Sequence, residues 1–537
     1  MLEEIGKGAG MILNPLGDSA WLVEWEGPAN ELALATVMAC TAALEIDRPA
    51  TVTDVVPSFA SLAVYYDGTD GIEVRRWIEA RLSGISPHHL QNGRVVEIPV
   101  CYDGADLAEV AALTELSEND VAALHSYPTY TVAALGFSPG FPYLLGLPQR
   151  LHLPRRRTPR LKVPAGSVAI GGGQSGIYPF DSPGGWHLLG TTSATLFDPY
   201  AGALLRPGDR LRFKRVDLHE ARAVSSRTTA VLENPMVKVL DPGAQTTIQD
   251  AGRFGHGIAG VSLNGAVDSQ ALRLANLLVG NAADAAALEI CMRGPVLEFL
   301  APSTVSLAAD GGKSWNVAAG EVMDFSKPGG GVRACIGIAG GIHCENLLDS
   351  AATDLRAGFG GLQGRALKAG DLLAAGKSNR IPQPGDWHVG WLGRRVDNIE
   401  LRFVRGVQCD WFTAATRQLF SEAIYQVAVD SDRMGARLIG PALELEQRRE
   451  MVSQPVANGS VQVPPAGQPI VLLAGRQTIG GYPQIGHVIS VDLPQLARAW
   501  PGTKVRFREV TLEQAWELKR RDERDLAWLR VGLELKK

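Results

Sequence analysis

No stretch of this chain reaches the roughly 18 consecutive apolar residues that a membrane-spanning helix requires, so no helical membrane span is expected. There is no CxxC pair. Cys40, Cys101, Cys291, Cys335, Cys344 and Cys409 are scattered, which excludes a zinc spacing and a disulfide framework and predicts reduced core residues. There is no GxSxG elbow and no cysteine in a recognisable nucleophile context, so a covalent hydrolase is disfavoured. Net charge is only −5 over 537 residues and no long like-charge run occurs, which argues against a nucleic-acid surface. The opening MLEEIGKGAGMILNPLGDSAW lacks the basic start and apolar core of a signal peptide. A soluble, cytoplasmic protein without nucleic-acid or membrane partners is the expectation. Helical periodicity is also sparse, whereas glycine is abundant at 60 residues, so short strands joined by tight turns should dominate.

The length exceeds what one hydrophobic core supports, so two to four domains are expected. Residues 1–92 read as a small α+β lobe: a strand DSAWLVEW, a helix over 30–46 begun by Asn30, a strand VTDVVPSFASLAVYYDG, and a helix over 72–82. Residues 93–215 read as a β-barrel with short inserted helices at 106–113 and 117–125, sealed by LLRPGDRLRF. Residues 216–235 lose the sheet pattern and look like a linker. A first β lobe over 236–395 follows, with a helix capped by Asp268, then a second over 396–510 and a terminal helix over 511–537. The methionine at 236, placed after the linker, suggests two formerly separate chains joined end to end. The run TTIQDAGRFGHGIAG reads as loop, and strands dominate beyond residue 281.

The densest concentration of glycine and proline lies between Gly136 and Thr192, where no element of ordinary length could survive, so polar side chains there sit on loops held by a sheet. Arg155, Arg156, Arg157, Arg160, Lys162, Gln174, Tyr178, Ser182, Trp186 and His187 fall in it. Arg160 and Lys162 share a strand face at a two-residue spacing suited to holding a carboxylate, or are rim charges in water. GGGQSG at Gly171 is an anion-binding nest or a turn between strands. His187 follows a rigid turn and is either a general base or a hydrogen-bonded structural histidine. Gly312-Lys313-Ser314 resembles the end of a phosphate loop, but Leu307 stands where its first glycine belongs, and that reading fails. Farther on, Gln249, Asp250 and Arg253 crowd one turn, and Asp432, Arg433 and Met434 another.

The chain also echoes itself. AGSVAI at 165–170 returns as NGSVQV at 458–463, Gln174 and Tyr178 as Gln477 and Tyr482, and RPGDRLRF as WPGTKVRF. LKAGDLL at Leu367 is a weaker third copy. Two barrels of common design are expected, with Gln174 and Gln477 on equivalent rims facing one cleft.

GFSPGFPYL, PRLKVPAGSVAI and YPFDSPGGWHLLG resemble the KipI family, also called allophanate hydrolase subunit 1 or the B-type subunit of 5-oxoprolinase. TTIQDAGRFG, NGAVDSQALRLANLLVGN, SDRMGARL and QTIGGYPQIGHVI resemble the KipA family, the C-type subunit of 5-oxoprolinase. The resemblance implies a mainly β fold with cyclophilin-like β-barrel domains and an α+β N-terminal lobe. It also implies a component of ATP-dependent 5-oxoprolinase, inactive without a separate LamB/YcsF-type protein, the A-type subunit of that enzyme. Such a component binds 5-oxoproline, ATP and Mg²⁺ and activates the lactam for opening to L-glutamate. On this reading His187, Arg160, Asp250 and Arg433 are the catalytic candidates. Lys162, Gln174, Tyr178, Ser182, Trp186, Gln249, Arg253, Asp268, Asp432, Gln477, Thr478 and Tyr482 are the substrate- or nucleotide-binding ones. No protein metal site is expected, and self-association is left open. The same paired module resembles the carboxyltransferase part of urea carboxylase, although the Met-Lys-Met signature of a biotin carrier is absent. KipI-type proteins are also associated with inhibition of a histidine kinase, a third reading. Gly475, Ile479 and Ala351 depart from the family pattern, which puts the natural amide in question.

Overall fold

The computed structural model describes residues 10–85, 93–217, 235–309, 311–327, 329–376, 385–387, 397–447, 449 and 451–535. Most of the expected linker, 218–234, lies outside these. The fold is mainly β, as expected, and the helices decorate sheets. Among the described residues no helix is long and apolar enough to cross a membrane.

The chain starts with a four-stranded antiparallel sheet, in the order Met11–Pro15, Ala20–Trp25, Ser61–Tyr66, Val52–Ser58, covered by helices Glu31–Glu45 and Gly71–Leu82. Asn30 and Asp70 cap these helices by accepting the N–H of Ala33 and of Glu73. The first strand expected here is Ala20–Trp25, paired with Met11–Pro15, whereas the second is in fact a hairpin pair. VTDVVPSFASLAVYY folds back at Phe59, which adopts φ +39°. No glycine or proline marks that turn; it is held because the Phe59 ring is buried edge-on against Tyr143 at 6.0 Å. The far end of the chain returns to this lobe. Trp516 in the terminal helix Leu512–Leu535 enters its core and donates to Asp18 O (3.1 Å) and Tyr66 Oη (3.0 Å).

A seven-stranded sheet follows, in the order His187–Thr191, Ser167–Gly171, Gln174–Ile177, Pro142–Leu145, Thr129–Leu135, Arg210–Arg215, Val95–Val100. It curls until its edges meet, where Cys101 and Thr191 exchange N–H···O bonds of 2.9 and 2.8 Å. Helices Leu107–Thr114 and Glu118–Ser126 pack on it, as expected. One face buries Val132, Leu144, Val168, Ile170, Ile177 and Leu211 together with His125, which bridges Tyr102 and Ser175 at 2.8 Å each.

The second half begins with a five-stranded and a six-stranded sheet that share one core. Strand Gln245–Gln249, within the run expected to be loop, pairs with Ala287–Cys291. Helix Ser269–Leu278 is capped by Asp268, which accepts the Ala271 N–H at 2.9 Å. Gly312–Val317 is a strand, consistent with rejecting a phosphate loop. A closed barrel then forms from Asn398–Arg405, Gln484–Val488, Ser460–Gln462, Ile470–Leu472, Gly435–Ile439, Tyr425–Val427 and Lys504–Glu509. Helices Ala414–Glu422 and Leu493–Arg498, unseen in the sequence pattern, cover it.

Curled sheet and barrel share one plan. In both, the first and last strands pair in parallel: Val95–Val100 with Arg210–Arg215, and Asn398–Arg405 with Lys504–Glu509. The register of the internal echo needs correction. Ser182–Gly184 pairs with Arg160–Val163, and Ile479–Gly480 pairs with Gln454–Pro455, so SPGGW at 182–186 answers TIGGY at 478–482. Gln174 sits one strand earlier and is not the counterpart of Gln477. Identity at two letters pointed to the wrong pair because the loops differ in length.

Candidate functional site

The two halves of the chain meet along the uncovered face of the curled sheet. The loop from Gly136 to Phe141 runs along the turn Gly257–Gly260, with Gly140 N–H donating to Ala259 O at 2.9 Å. Gly136 is required there: a Cβ built on it would stand 2.1 Å from Ile479 Cγ1. Next to it Phe137 is held at φ +66°, a conformation a bulky residue rarely adopts and one that clusters at functional sites. Its ring stands edge-on to Phe141 and Tyr178 at 5.4 and 6.1 Å, and Trp186 stands edge-on to Phe141 and Tyr143 at 5.7 and 6.1 Å. Ile479, from the barrel, closes this aromatic cluster.

Two cations sit at this aromatic floor, one from each half. Arg155 lies 5.8 Å from the centroid of the Trp186 ring and Arg356 lies 4.6 Å from that of Phe137. Among the described residues neither is within ion-pairing distance of a carboxylate. Among the described residues the one side-chain hydrogen bond of the Arg356 guanidinium goes to Met434 Sδ at 3.6 Å, and burial pulls its pKa down. Both charges act on Tyr143: burial pushes its phenol up to about 12, while Arg155, Arg356 and the Ser453 hydroxyl oppose that rise. Around the adjoining glycines, Ser182 Oγ and its counterpart Thr478 Oγ1 are both buried without partners, as are amide atoms of Gln454, Gln462 and Gln484. Unsatisfied buried polar groups cost about 1–3 kcal/mol each, which makes these atoms candidates for contact with a ligand.

The sequence-predicted residues divide. Tyr178 and Trp186 belong to this seam, Ser182 is buried beside it as the strand partner of Val163, and Gln477 and Thr478 border it; Tyr482, the counterpart of Trp186, is exposed. Gln174 begins its strand half-buried, with Oε1 unpartnered. Arg160 is bound to Asp106 at 2.5 Å. Burial would raise that carboxyl, but Arg160, the Leu188 N–H and Arg156 outweigh it and hold it low. Lys162 pairs with Asp181 at 2.8 Å on the surface, so neither cation of that strand is available for a carboxylate. His187 Nε2 bonds Pro154 O at 3.0 Å, the structural role left open for it. The GGGQSG run is the turn between two strands, and its Gly172 N–H donates to Leu153 O.

In the second half, Asp250 accepts from Gly252 N, Ser350 Oγ and Ala351 N and so ties down the loop that carries Ala351. Gln249 is buried and donates to Thr247 Oγ1 and Thr353 O at 3.1 Å. Asp268 is the helix cap and pairs with Arg498 at 3.3 Å. Asp432 is exposed and accepts the N–H groups of Met434 and Gly435. Arg433 binds Glu289, which also holds Arg333 at 3.1 Å, a buried ion triad. His187, Arg160, Asp250 and Arg433, expected as catalytic, thus each have a fixed structural partner. Arg155 lay in the basic run already singled out. Tyr143 lay in the GFSPGFPYL motif without being singled out, and Arg356 and Ser453 carried no local signal, because only the tertiary fold brings DLRAG against GFSPGF.

Among the described residues no group of three histidine, cysteine or carboxylate side chains is placed to hold a metal. Residues 259–509 match the family described as carboxyltransferase domain, subdomain A and B, and residues 11–204 match carboxyltransferase domain, subdomain C and D. The C-type 5-oxoprolinase subunit of Escherichia coli K12 is 37% identical over 310 residues, 55% of this chain and 98% of that protein. The B-type 5-oxoprolinase subunit of Bacillus subtilis is 40% identical over 221 residues, 38% of this chain and 92% of that protein. The crystal structure of TTHA0988 superposes with a TM-score of 0.80 at 36% identity, covering 91% of this chain and 99% of that one.

Proposed function

The chain belongs to the families of the B-type and C-type subunits of 5-oxoprolinase, joined end to end in one polypeptide, and from that membership we propose that it is the lactam-activating component of an ATP-dependent 5-oxoprolinase. The observation that carries the reading is the convergence of Arg155 and Arg356, one from each half, on a shared aromatic floor without an anion to neutralise them. Arg356 is half-buried and Arg155 exposed, and cations without an ion-pair partner among the described residues are suited to a ligand that brings negative charge.

A lactam resists water because its nitrogen lone pair is delocalised, the same resonance that gives a peptide bond a barrier of about 18–20 kcal/mol. ATP supplies a phosphoryl group that would remove this protection at the lactam oxygen. The residues at the seam fit such a group: Arg155 and Arg356 would offset phosphate charge, and the rings of Phe137, Tyr143 and Trp186 would exclude water from the ligand. Magnesium suits a site of this kind when it arrives on the nucleotide's phosphates rather than in a cage of protein carboxylates. Ring opening would then be completed with a separate LamB/YcsF-type partner protein.

Reconstitution tests this. The full chain mixed with a LamB/YcsF-type partner should release ADP and L-glutamate from 5-oxoproline, and little of either alone. Absence of 5-oxoproline-dependent ADP release from the mixture would exclude the reading. The carboxyltransferase descriptions of both matched families favour one alternative, transfer of a carboxyl group to a small amide such as urea; its signature would be turnover dependent on a biotinylated carrier.

A further inference from the structure

A separate hollow of about 120 Å³ lies where three parts of the chain meet. Asp54 and Tyr65 come from the N-terminal sheet, Arg253 from the turn after Gln245–Gln249, and Asn458, Arg476 and Thr478 from the barrel. Neither Gln174 nor Gln477 lines it, although Gln477 is flanked by two residues that do.

Its wall has more positive charge than the fold uses. Arg476 is only 7% exposed, and among the described residues no carboxylate is within ion-pairing distance of it. Among the described residues the one hydrogen bond of its side chain is a long one, 3.3 Å, from Nη1 to Gln477 O, and Nε is buried without a partner; the guanidinium lies 5.5 Å from the centroid of the Tyr65 ring. Arg253 is 1% exposed; it donates to Leu347 O and Ala352 O, and its Nη1 has no partner. Thr478 Oγ1 and Asn458 Oδ1 are likewise buried and unpartnered. The carboxylate on the wall, Asp54, is engaged by the N–H groups of Val55 (2.9 Å) and Gly257 (2.8 Å). Asp54 acts on Arg476 and Asp354 and Asp250 on Arg253 through space, but none ion-pairs with them; burying guanidinium groups without a paired anion is costly, and a fold keeps such an arrangement where a ligand supplies one.

Size and donor chemistry narrow the ligand. At about 30 Å³ per water molecule the hollow holds the equivalent of roughly four waters, which matches a small organic acid and is too little to enclose a nucleotide. The planar fork of arginine matches the two oxygens of a carboxylate. We infer that this hollow is a binding site for a small carboxylic acid anion, its carboxylate taken by the free N–H groups of Arg476 and its remaining polar atoms by Thr478 and Asn458. The inference stands on the cavity alone: 5-oxoproline is itself such an acid, but binding to the hollow is measured without turnover at the seam.

Titration of the full-length chain with acetate and with propionate, followed by calorimetry and by line broadening of the ¹³C-labelled acids, tests it, with acetamide as the uncharged isostere. One-to-one saturable binding of the acids and at least tenfold weaker binding of acetamide are expected. Arg476→Met should weaken acid binding about tenfold or more and Thr478→Val about threefold or more, whereas Lys162→Met, on the surface, should leave it unchanged. Should Arg476→Met fail to fold, Arg476→Lys keeps the charge without the fork and should bind between wild type and Thr478→Val or weaker. Failure of both acids to saturate, equal binding of acetamide, or unchanged affinity in the Arg476 and Thr478 variants would overturn the assignment.

Discussion

Replacing Gly136 by alanine places a methyl group 2.1 Å from Ile479 Cγ1 and 2.4 Å from Cδ1, across the join between the two halves. The backbone there does not need glycine for its own sake, since Gly136 is absent from the residues with positive φ. The cost is therefore steric and should fall in the range for overpacking a core, about 1–3 kcal/mol. Ile479→Ala alone empties a fully buried position and should cost about 2–5 kcal/mol. In the double variant both clashing atoms are gone and the remaining approach, to Ile479 Cβ, is 3.1 Å. Gly136→Ala should then cost close to nothing, which gives a coupling of about 1–3 kcal/mol in favour of the pair. Urea unfolding of the full chain, followed by tryptophan fluorescence with Trp186 in the same cluster as the probe, measures all four corners of the cycle. Additivity within about 0.5 kcal/mol would refute the claim that these two residues bear on each other across the seam.

Three further outcomes follow from buried charge. Glu289→Gln strands Arg333 and Arg433 and should lower stability by about 3–5 kcal/mol in urea titration. Burial holds His125 and His487 down to about 3, so both are neutral in the folded state, whereas the unfolded chain takes up protons below about 6.5. Stability should thus be flat above pH 6.5 and fall by about 1.4 kcal/mol per pH unit per histidine below it; His125→Gln should halve the slope between pH 6.5 and 5, and a flat profile there would contradict the assignment. Glu523 is raised by burial but lowered more by Arg273 and Lys519, to about 2, so its contribution is present above about pH 4.5 and is lost as pH falls toward 2. Glu523→Gln should cost roughly 1–3 kcal/mol at neutral pH and little near pH 2, with hydrogen exchange of the terminal helix as the local readout.

Much of the architecture was legible because it rests on local rules. The caps at Asn30 and Asp268, the terminal helix and the strands RLRFKR and KVRFRE follow from side-chain chemistry and from repeated turns, but the parallel pairing of each with the first strand of its sheet was not expected. What stayed hidden depends on distant contacts. The hairpin at Phe59 has no turn residue and is fixed by burial against Tyr143, which belongs to the next sheet. The candidate site was legible only in its aromatic half. Tyr178 and Trp186 lie at the seam, but Arg160, Lys162 and His187 look equally polar in sequence and are each engaged elsewhere, by Asp106, Asp181 and Pro154, although Arg160 Nη1 and His187 Nδ1 keep no partner among the described residues. Charge in a loop does not reveal whether it has a partner. Arg356 and Arg476 are informative because theirs is missing, and that only the fold discloses.

The most direct test of the account concerns the two unpaired cations at the seam. In the mixture with the LamB/YcsF-type partner, kcat/KM for 5-oxoproline-dependent ADP release should fall about 10²-fold or more in Arg356→Met and in Arg155→Met, the loss typical of removing a group that stabilises developing charge. Both variants should keep the urea midpoint of the parent chain. Turnover that survives both substitutions would contradict the assignment of this seam as the place where the lactam is activated.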